Sequence, residues 1–191
     1  IFRGKDRQEG ETETPVSLVE YFNAYIARIS KLTREYTTGT LQHYRTTLGH
    51  VQAYLATLKR KDIPVQEVDH KFVQDFDYYL MTTPGEQLGQ PMGRNTANKY
   101  HTKLKTILLQ AVKEGILPAS PFAEFKLKNK TVHRDHLTKE ELQRIRELKF
   151  ENLSLDKVRD IFLFSCYTGL RFTDAQDLRQ QHIRADEDGH L

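Results

Sequence analysis

The chain has 191 residues, a formal net charge of +3 and a hydrophobic content of 38%, with a mean hydropathy of −0.66. It contains no apolar run near the roughly 20 residues that span a bilayer, so a membrane-spanning protein is excluded. Cys166 is the single cysteine and cannot form an internal disulfide, which favours a reducing, cytoplasmic compartment. The eight histidines are scattered and form no cysteine–histidine cluster with metal-ligand spacing, so we expect neither a metal nor a cofactor.

The first half of the chain predicts a bundle of four helices. Residues 1–15 are polar, without hydrophobic periodicity, and predict a disordered lead-in. Ser17, with Glu20 in the capping-box position, opens the first helix. The second helix begins at Gly39-Thr40, and an extended connection at 65–69 leads to a third helix capped by Asp69. A polar loop over 87–93 precedes the fourth helix, predicted over 96–114.

The fourth helix has an unusual polar face. At about 100° per residue, one face is apolar, with Ala97, Tyr100, Leu104, Ile107, Leu108 and Ala111. The other carries no acid before Glu114 and consists of Asn95, Asn98, Lys99, Thr102, Lys103, Thr106, Gln110 and Lys113. Ordinary solvent-facing helix surfaces mix charges of both signs. Lysine contacts phosphate or guanine, and asparagine and glutamine contact adenine edges, so this face suits a DNA major groove. A solvated face that happens to lack acids is the alternative.

The middle of the chain is strongly basic. Residues 94–134 carry nine Lys/Arg against two glutamates, a net charge of +7, whereas residues 1–93 come to −1 and 135–191 to −3. This asymmetry is typical of a surface that binds a polyanion. Lys128 and Lys130 lie where the bundle leads into a basic linker, which we place at 129–135 between domains at 16–128 and 136–191. The linker either follows a DNA backbone or is inert and disordered.

The second domain opens with a capping box of Thr138 and Glu141. An apolar segment at 155–167 predicts a buried helix in which Cys166 is an inert core residue and Tyr167 belongs to the core. From His182 onward the sequence predicts a strand entering a β-hairpin, within which the chain ends. The absence of an initiator methionine leads us to expect that the chain is part of a longer protein.

The run from Phe164 to Asp174 places an arginine in a short corner between two helices. Gly169 stands where a helix takes a left-handed C-terminal residue, and Thr173, with Gln176 three residues later, predicts the cap of the next helix. Arg171 between them is held in a stiff turn, from which a guanidinium can bind two phosphate oxygens at once. The alternative is a surface arginine paired with Asp174 or Asp177.

The sequence Thr168-Gly169-Leu170-Arg171, followed by a hydrophobe, a hydroxyl residue and an acid, resembles the first catalytic motif of the tyrosine recombinases, the phage and mobile-element integrases. The resemblance extends from about Ser17 to the C-terminus. It implies a mainly α fold, with a SAM-like helical core-binding domain followed by the helical first part of a catalytic domain. It further implies that the chain is cut within the first β-hairpin of that catalytic domain.

The resemblance also implies a function and a set of site residues. Arg171, supported by Asp174, would grip the scissile phosphate of a double-stranded DNA recombination site, and the longer parent would act as a homo-tetramer through a 3′-phosphotyrosine. The implied DNA contacts are Thr40, His43, Arg94, Asn95, Asn98, Lys99, Thr102, Lys103, Lys128 and Lys130.

The chain lacks the rest of the family's catalytic residues. No His-x-x-Arg follows Arg171, and all nine tyrosines precede it. We therefore expect these residues to bind DNA without cleaving it. A non-catalytic DNA-binding module or regulator, and a helical domain whose basic face meets an acidic protein, are the competing hypotheses.

Overall fold

A computed structural model describes residues 15–83 and 91–184, and within these ranges the regular structure is helical. The mainly α fold predicted from the sequence is confirmed. The chain divides into two units, Ile1–Thr131 (unit 1) and Val132–Leu191 (unit 2). The predicted domain and linker boundaries stay predictions. Residues 1–14, most of the predicted 87–93 loop and the end of the predicted hairpin lie outside the described residues.

The described residues of unit 1 form four α-helices. They are α1 (Leu18–Ser30), α2 (Thr38–Thr57), α3 (His70–Thr82) and α4 (Arg94–Lys113). The extended connection predicted over 65–69 is instead a 3-10 turn at Val65–Glu67. Because a 3-10 turn has three residues per turn, it points Val65 and Val68 to the same side, and both are buried there.

Two helix starts in unit 1, those of α1 and α3, have the predicted N-cap residues, whereas α4 begins at Arg94, two residues before its predicted start and without a side-chain cap. Ser17 Oγ accepts a hydrogen bond from the Glu20 amide, and Asp69 Oδ1 accepts one from the Phe72 amide. The second helix begins earlier than predicted, because Thr37 Oγ1 accepts from the Thr40 amide and makes Thr37 the N-cap. Side-chain oxygens thereby satisfy amides that have no partner inside the helix.

The core of unit 1 forms where the apolar sides of its helices meet. α2 packs against α1, α3 and α4, and α3 also packs against α4. The largest fully buried side chains come from every helix and include Phe22, Leu55, Phe76 and Leu104. Phe122, beyond the end of α4, is also buried and folds back onto the bundle. Each such side chain contributes roughly 1.5–3 kcal/mol of hydrophobic stabilisation.

Unit 2 contains three α-helices in its described part, α5 (Lys139–Glu147), α6 (Leu153–Thr168) and α7 (Phe172–Gln176), followed by a 3-10 turn at Gln180–His182. The capping box predicted at Thr138 and Glu141 is confirmed, with both reciprocal hydrogen bonds present. The strand predicted from His182 is wrong for the described residues, because His182 ends the 3-10 turn and Ile183 and Arg184 are irregular. The rest of that hairpin lies outside the described range.

The prediction that α6 is buried is wrong. Leu163 is the one buried residue of this helix, whereas Val158 is 62% exposed and Tyr167 is 64% exposed. Cys166 is exposed as well, so it is not the core residue that its apolar neighbours suggested. Among the described residues, α6 packs against α5, which has nine residues, and α7, which has five. These two short helices leave most of its apolar side chains uncovered.

Candidate nucleic-acid interface

A shallow groove lies between the N-terminal halves of α2 and α4. Its volume is about 250 Å³, and it is lined by His43, Thr47, Lys99, Tyr100, Thr102 and Lys103. Four of the predicted site residues, His43, Lys99, Thr102 and Lys103, therefore lie together although the two helices are some 50 residues apart in sequence. Thr40, a fifth, lies one turn before His43 on α2 and is half-buried.

The two helices that form the groove carry no acidic residue at all. This holds for the 20 residues of α2 and for the 20 residues of α4. The absence of acids from α2 is a second signal in the sequence, which the polar face of α4 does not by itself reveal. The lysines of the groove therefore have no carboxylate on either helix to offset their positive charge.

Aromatic rings support the cationic groups of the groove. The Lys103 ammonium lies 4.8 Å from the centroid of the Tyr44 ring, a distance at which a cation–π interaction holds it in place. The Tyr100 ring packs on His50 with centroids 4.5 Å apart. Burial lowers the pKa of His50, so this ring is neutral at physiological pH. Lys99 and Lys103 are the two lysines in the groove lining.

Thr47 is a groove residue that the sequence did not indicate. It is fully buried, and its hydroxyl donates to the His43 carbonyl at 2.7 Å, one turn earlier on α2. Thr102 makes the same kind of bond on α4, donating to the Asn98 carbonyl at 2.8 Å. A threonine that bonds to its own helix backbone in this way can be either buried or exposed, and the sequence pattern is the same in both situations. Thr47 is buried because α2 packs against α4.

Asn95 and Asn98 do not line the groove. Asn98 is 5% exposed, and its amide donates to the Lys128 carbonyl and to Asn129 Oδ1, both at 2.9 Å. Asn95 is half-buried and bonds to the backbone of Lys130. The placement of Asn98 on an open polar face is thus corrected. The polar face of α4 occupies more than half of the circumference of the helix. One side of this face is covered by residues that follow the helix in sequence.

Arg94 is held by an ion pair at the start of α4. Its Nη1 lies 2.6 Å from Asp77 Oδ1 on α3, and the same oxygen lies 2.9 Å from Nε2 of His101. His101 is fully buried, and burial lowers its pKa even though the nearby Asp77 carboxylate acts in the opposite direction. Arg94 keeps about a third of its side chain exposed at the start of α4.

Lys128 and Lys130 lie beyond the helices, on the segment that Asn98 and Asn95 hold. Their side chains are exposed, whereas their backbone atoms are the ones engaged with α4. The structure therefore places both lysines next to the N-terminal half of α4. Their charges lie beside the same helix as Lys99 without entering the groove lining.

Unit 2 carries the predicted catalytic arginine. Gly169 has φ +72°, the left-handed C-terminal conformation that the sequence predicted. The predicted cap at Thr173 is wrong: α7 begins at Phe172, and Arg171 occupies the N-cap position without a side-chain capping bond. Thr173 therefore lies inside the helix. The left-handed turn at Gly169 leaves only Leu170 and Arg171 before the next helix, so α7 starts earlier than the capping pattern suggested.

Arg171 and Asp174 form an ion pair on the surface of unit 2. The Arg171 Nε lies 2.9 Å from Asp174 Oδ2, and the Arg171 side chain is 83% exposed. The hydrogen bond from Arg171 lowers the pKa of the Asp174 carboxyl. The carboxylate therefore orients the guanidinium and leaves its outer edge open to solvent. This geometry fits both the supporting role implied for Asp174 and a simple surface ion pair.

Two other kinds of site are missing from the described ranges. No group of three or more His, Cys, Asp or Glu side chains could hold a metal ion there. None of the helices described is long and apolar enough to cross a membrane.

Comparison with known protein families gives one result. The family described as Phage integrase SAM-like domain matches residues 17–131, more than half of the chain and nearly all of unit 1. The match confirms the predicted resemblance to the integrases. No curated protein and no solved structure matches the chain significantly.

Proposed function

Because the chain belongs to the phage integrase SAM-like domain family, we propose that unit 1 binds double-stranded DNA through the groove between α2 and α4. The observation that carries this proposal is the pair of acid-free helices with Lys99 and Lys103 between them. A 20-residue helix such as α4 is about 30 Å long. The major groove of DNA is about 12 Å wide and admits one α-helix together with its side chains.

The predicted DNA contacts have different roles in this binding mode. Lys99 and Lys103 neutralise phosphates at the centre of the surface, and Thr40 and His43 contact the backbone from the start of α2. Arg94, Lys128 and Lys130 extend the positive surface to one side of α4. Phosphate contacts of this kind fix the position of the protein on a duplex, whereas base contacts give specificity. The proposed partner is thus duplex DNA, met in the cytoplasm of a bacterial cell.

We further propose that unit 2 contributes to a strand-exchange reaction in a tyrosine recombinase that acts as a homo-tetramer on DNA. Arg171 would bind two oxygens of the scissile phosphate and stabilise the charge that develops there as a tyrosine attacks. Asp174 would orient the guanidinium, as it does in the ion pair described above. The 191 residues supply no tyrosine after Arg171, so they bind the site without forming a phosphotyrosine.

Salt-dependent binding tests the proposed function. Fluorescence anisotropy with a labelled duplex should show an affinity that falls linearly in a plot of log K against log salt concentration, with a slope of about −0.9 per phosphate contact. Polyglutamate of matched charge serves as the competing acidic partner. Preferential binding of duplex supports the proposal. Equal or stronger binding of polyglutamate would show that the basic surface serves an acidic protein instead.

A further inference from the structure

The residues that follow α4 return along its side. Residues 122–130, here called the return segment, begin with Phe122 and Phe125, whose rings lie 5.9 and 5.1 Å from the ring of His101. The segment then meets Asn98 and finally Asn95. Its three anchoring points on α4 are spaced by three residues, so they are neighbours along one side of the helix. The return segment therefore runs antiparallel to α4, towards its N-terminus.

Asn95 holds the end of the return segment with both atoms of its amide. Its Nδ2 donates to the Lys130 carbonyl at 2.8 Å, and its Oδ1 accepts from the Lys130 amide at 2.7 Å. One side chain thus satisfies both backbone polar groups of a single residue, as a neighbouring β-strand would. A one-residue shift of the segment would break both bonds, so this pairing fixes the register of Lys130 against α4.

Asn98 holds the middle of the return segment. Its two amide hydrogens are both used, one on the Lys128 carbonyl and one on Asn129 Oδ1, at 2.9 Å each. The side chain is almost completely buried at this contact. The buried Oδ1 of the same side chain has no hydrogen-bond partner among the described residues. The two bonds made by Nδ2 therefore fix the Asn98 side chain against the segment, and this donor group is not free to contact a base.

We infer that Asn95 and Asn98 are positioning residues, which hold Lys126, Lys128 and Lys130 against α4 so that these lysines bind the DNA backbone together with Lys99 and Lys103. The inference rests on the proposed function of the groove. The three lysines of the segment alternate with Leu127 and Asn129 and are all exposed. With their backbone fixed, their charges are pre-organised. A free segment would lose conformational entropy on binding, and that loss would reduce affinity.

The inference differs from a base-reading role for the same two asparagines. An asparagine that reads adenine contributes to sequence preference and acts independently of the lysines. A positioning asparagine contributes equally on every sequence, and its effect passes through Lys128 and Lys130. Replacement of the lysines then matters less once the asparagine is gone. The two roles therefore predict opposite results in a double-mutant cycle.

The first measurement concerns the protein without DNA. Amide hydrogen exchange, read by NMR, should show the Lys130 amide protected in the wild type and exchanging at least about tenfold faster in Asn95→Ala. Gln110→Ala is the matched control, since Gln110 is also an amide on α4 but bonds to Glu114. It should leave Lys130 unchanged. An unprotected Lys130 amide in the wild type would overturn the inference.

The second measurement is the double-mutant cycle on DNA affinity. Asn95→Ala, which releases Lys130, should weaken binding to every duplex several-fold and reduce the salt slope by about 0.9, the value for one phosphate contact. Adding Lys130→Ala to that variant should cause little further loss. Asn98→Ala should act in the same way through Lys128, and if this buried substitution unfolds unit 1, the cycle of Asn95 with Lys130 still tests the inference.

The outcomes separate this inference from the function on which it rests. Wild-type protein that shows no salt-dependent binding to duplex overturns both. Normal wild-type binding, combined with full additivity of the asparagine and lysine substitutions, overturns the inference alone. So does a loss in Asn95→Ala that is confined to particular DNA sequences. A uniform loss that the lysine substitutions do not increase supports it.

Discussion

The apolar side chains of the two units are covered to very different degrees. In unit 1 the apolar stripes of α1 to α4 meet in one core, and Phe22, Phe76 and Leu104 are at most 1% exposed. In unit 2, α6 is comparably rich in large apolar residues, but Phe162 and Phe164 remain 43% and 40% exposed. The apolar side chains of α4 and of α6 were both predicted from the sequence of each helix alone. Such a prediction identifies a helix and its apolar residues, whereas burial depends on whether enough partner surface exists.

The largest expected effect tests this difference with one substitution in each unit. Phe76→Ala should destabilise unit 1 by about 3–5 kcal/mol, because it leaves a cavity among the rings of Tyr54, Tyr79 and His101. Phe164→Ala, the matched control on α6, should cost less than about 1 kcal/mol. Urea unfolding followed by circular dichroism measures both. Equal losses would show that α6 is as well covered as the core of unit 1.

The stability of unit 1 should depend on pH through His101. The ring is buried among Phe76, Phe122 and Phe125 and faces Asp77 and Arg94, and burial lowers its pKa below the ordinary value of 6.5. The unfolded state thus binds the proton more readily than the folded state. Stability is complete above about pH 6.5 and falls as the pH drops towards the folded pKa, by at most about 1.4 kcal/mol per pH unit for one proton.

The control for that pH dependence is His101→Gln, which cannot titrate in this range. Its free energy of unfolding should be lower overall but flatter between pH 7 and pH 5. The same decline in both proteins would assign the pH dependence to other groups.

Trypsin should distinguish the return segment from the residues that follow it. Lys128 and Lys130 have backbones that are bonded to α4, whereas Arg134 lies in an exposed stretch between the return segment and α5. We expect cleavage after Arg134 to be about tenfold faster than after Lys128 or Lys130, since proteases require local opening. Mass spectrometry of early fragments gives the order. First cleavage after Lys128 or within α4 would contradict the fold of unit 1.

The smallest expected effect on stability comes from Arg171. Its side chain is largely exposed, and the left-handed turn at Gly169 does not depend on it. Arg171→Ala should leave the Tm and the circular dichroism spectrum unchanged. In a tyrosine recombinase that contains these residues, the same change should abolish the covalent DNA adduct trapped on a suicide substrate. Normal adduct formation would show that Arg171 is an ordinary surface arginine without a catalytic role.

Much of unit 1 could be predicted because its signals are local. The caps at Ser17 and Asp69, and the box at Thr138 in unit 2, depend on residues three positions apart. The left-handed glycine at 169 depends on the end of one helix. The apolar face of α4 likewise depends only on residues within that helix. Such features are specified within a few residues, so the sequence alone indicates them.

The parts that could not be predicted depend on distant residues. Asn98 is buried because residues 30 positions later return along α4, and no pattern around Asn98 shows this. Thr47 is buried because α4 packs against α2. The predicted groove residues were identified one by one from charge and from the family resemblance. That they lie together in one groove could be seen only from the packing of α2 against α4. Polar residues on a helix thus gain their roles from what packs beside them.

The most direct test of the central claim compares two double variants in unit 1 that lose the same charge. Lys99→Ala with Lys103→Ala removes both lysines of the groove, whereas Lys61→Ala with Lys71→Ala removes exposed lysines outside its lining. Binding to a labelled duplex is measured at several salt concentrations, with folding checked by circular dichroism. The groove variant should bind every duplex more weakly and have a salt slope smaller by about 1.8, while the control stays close to wild type. Equal behaviour of the two variants, both folded, would contradict the assignment of this groove as the DNA-binding surface.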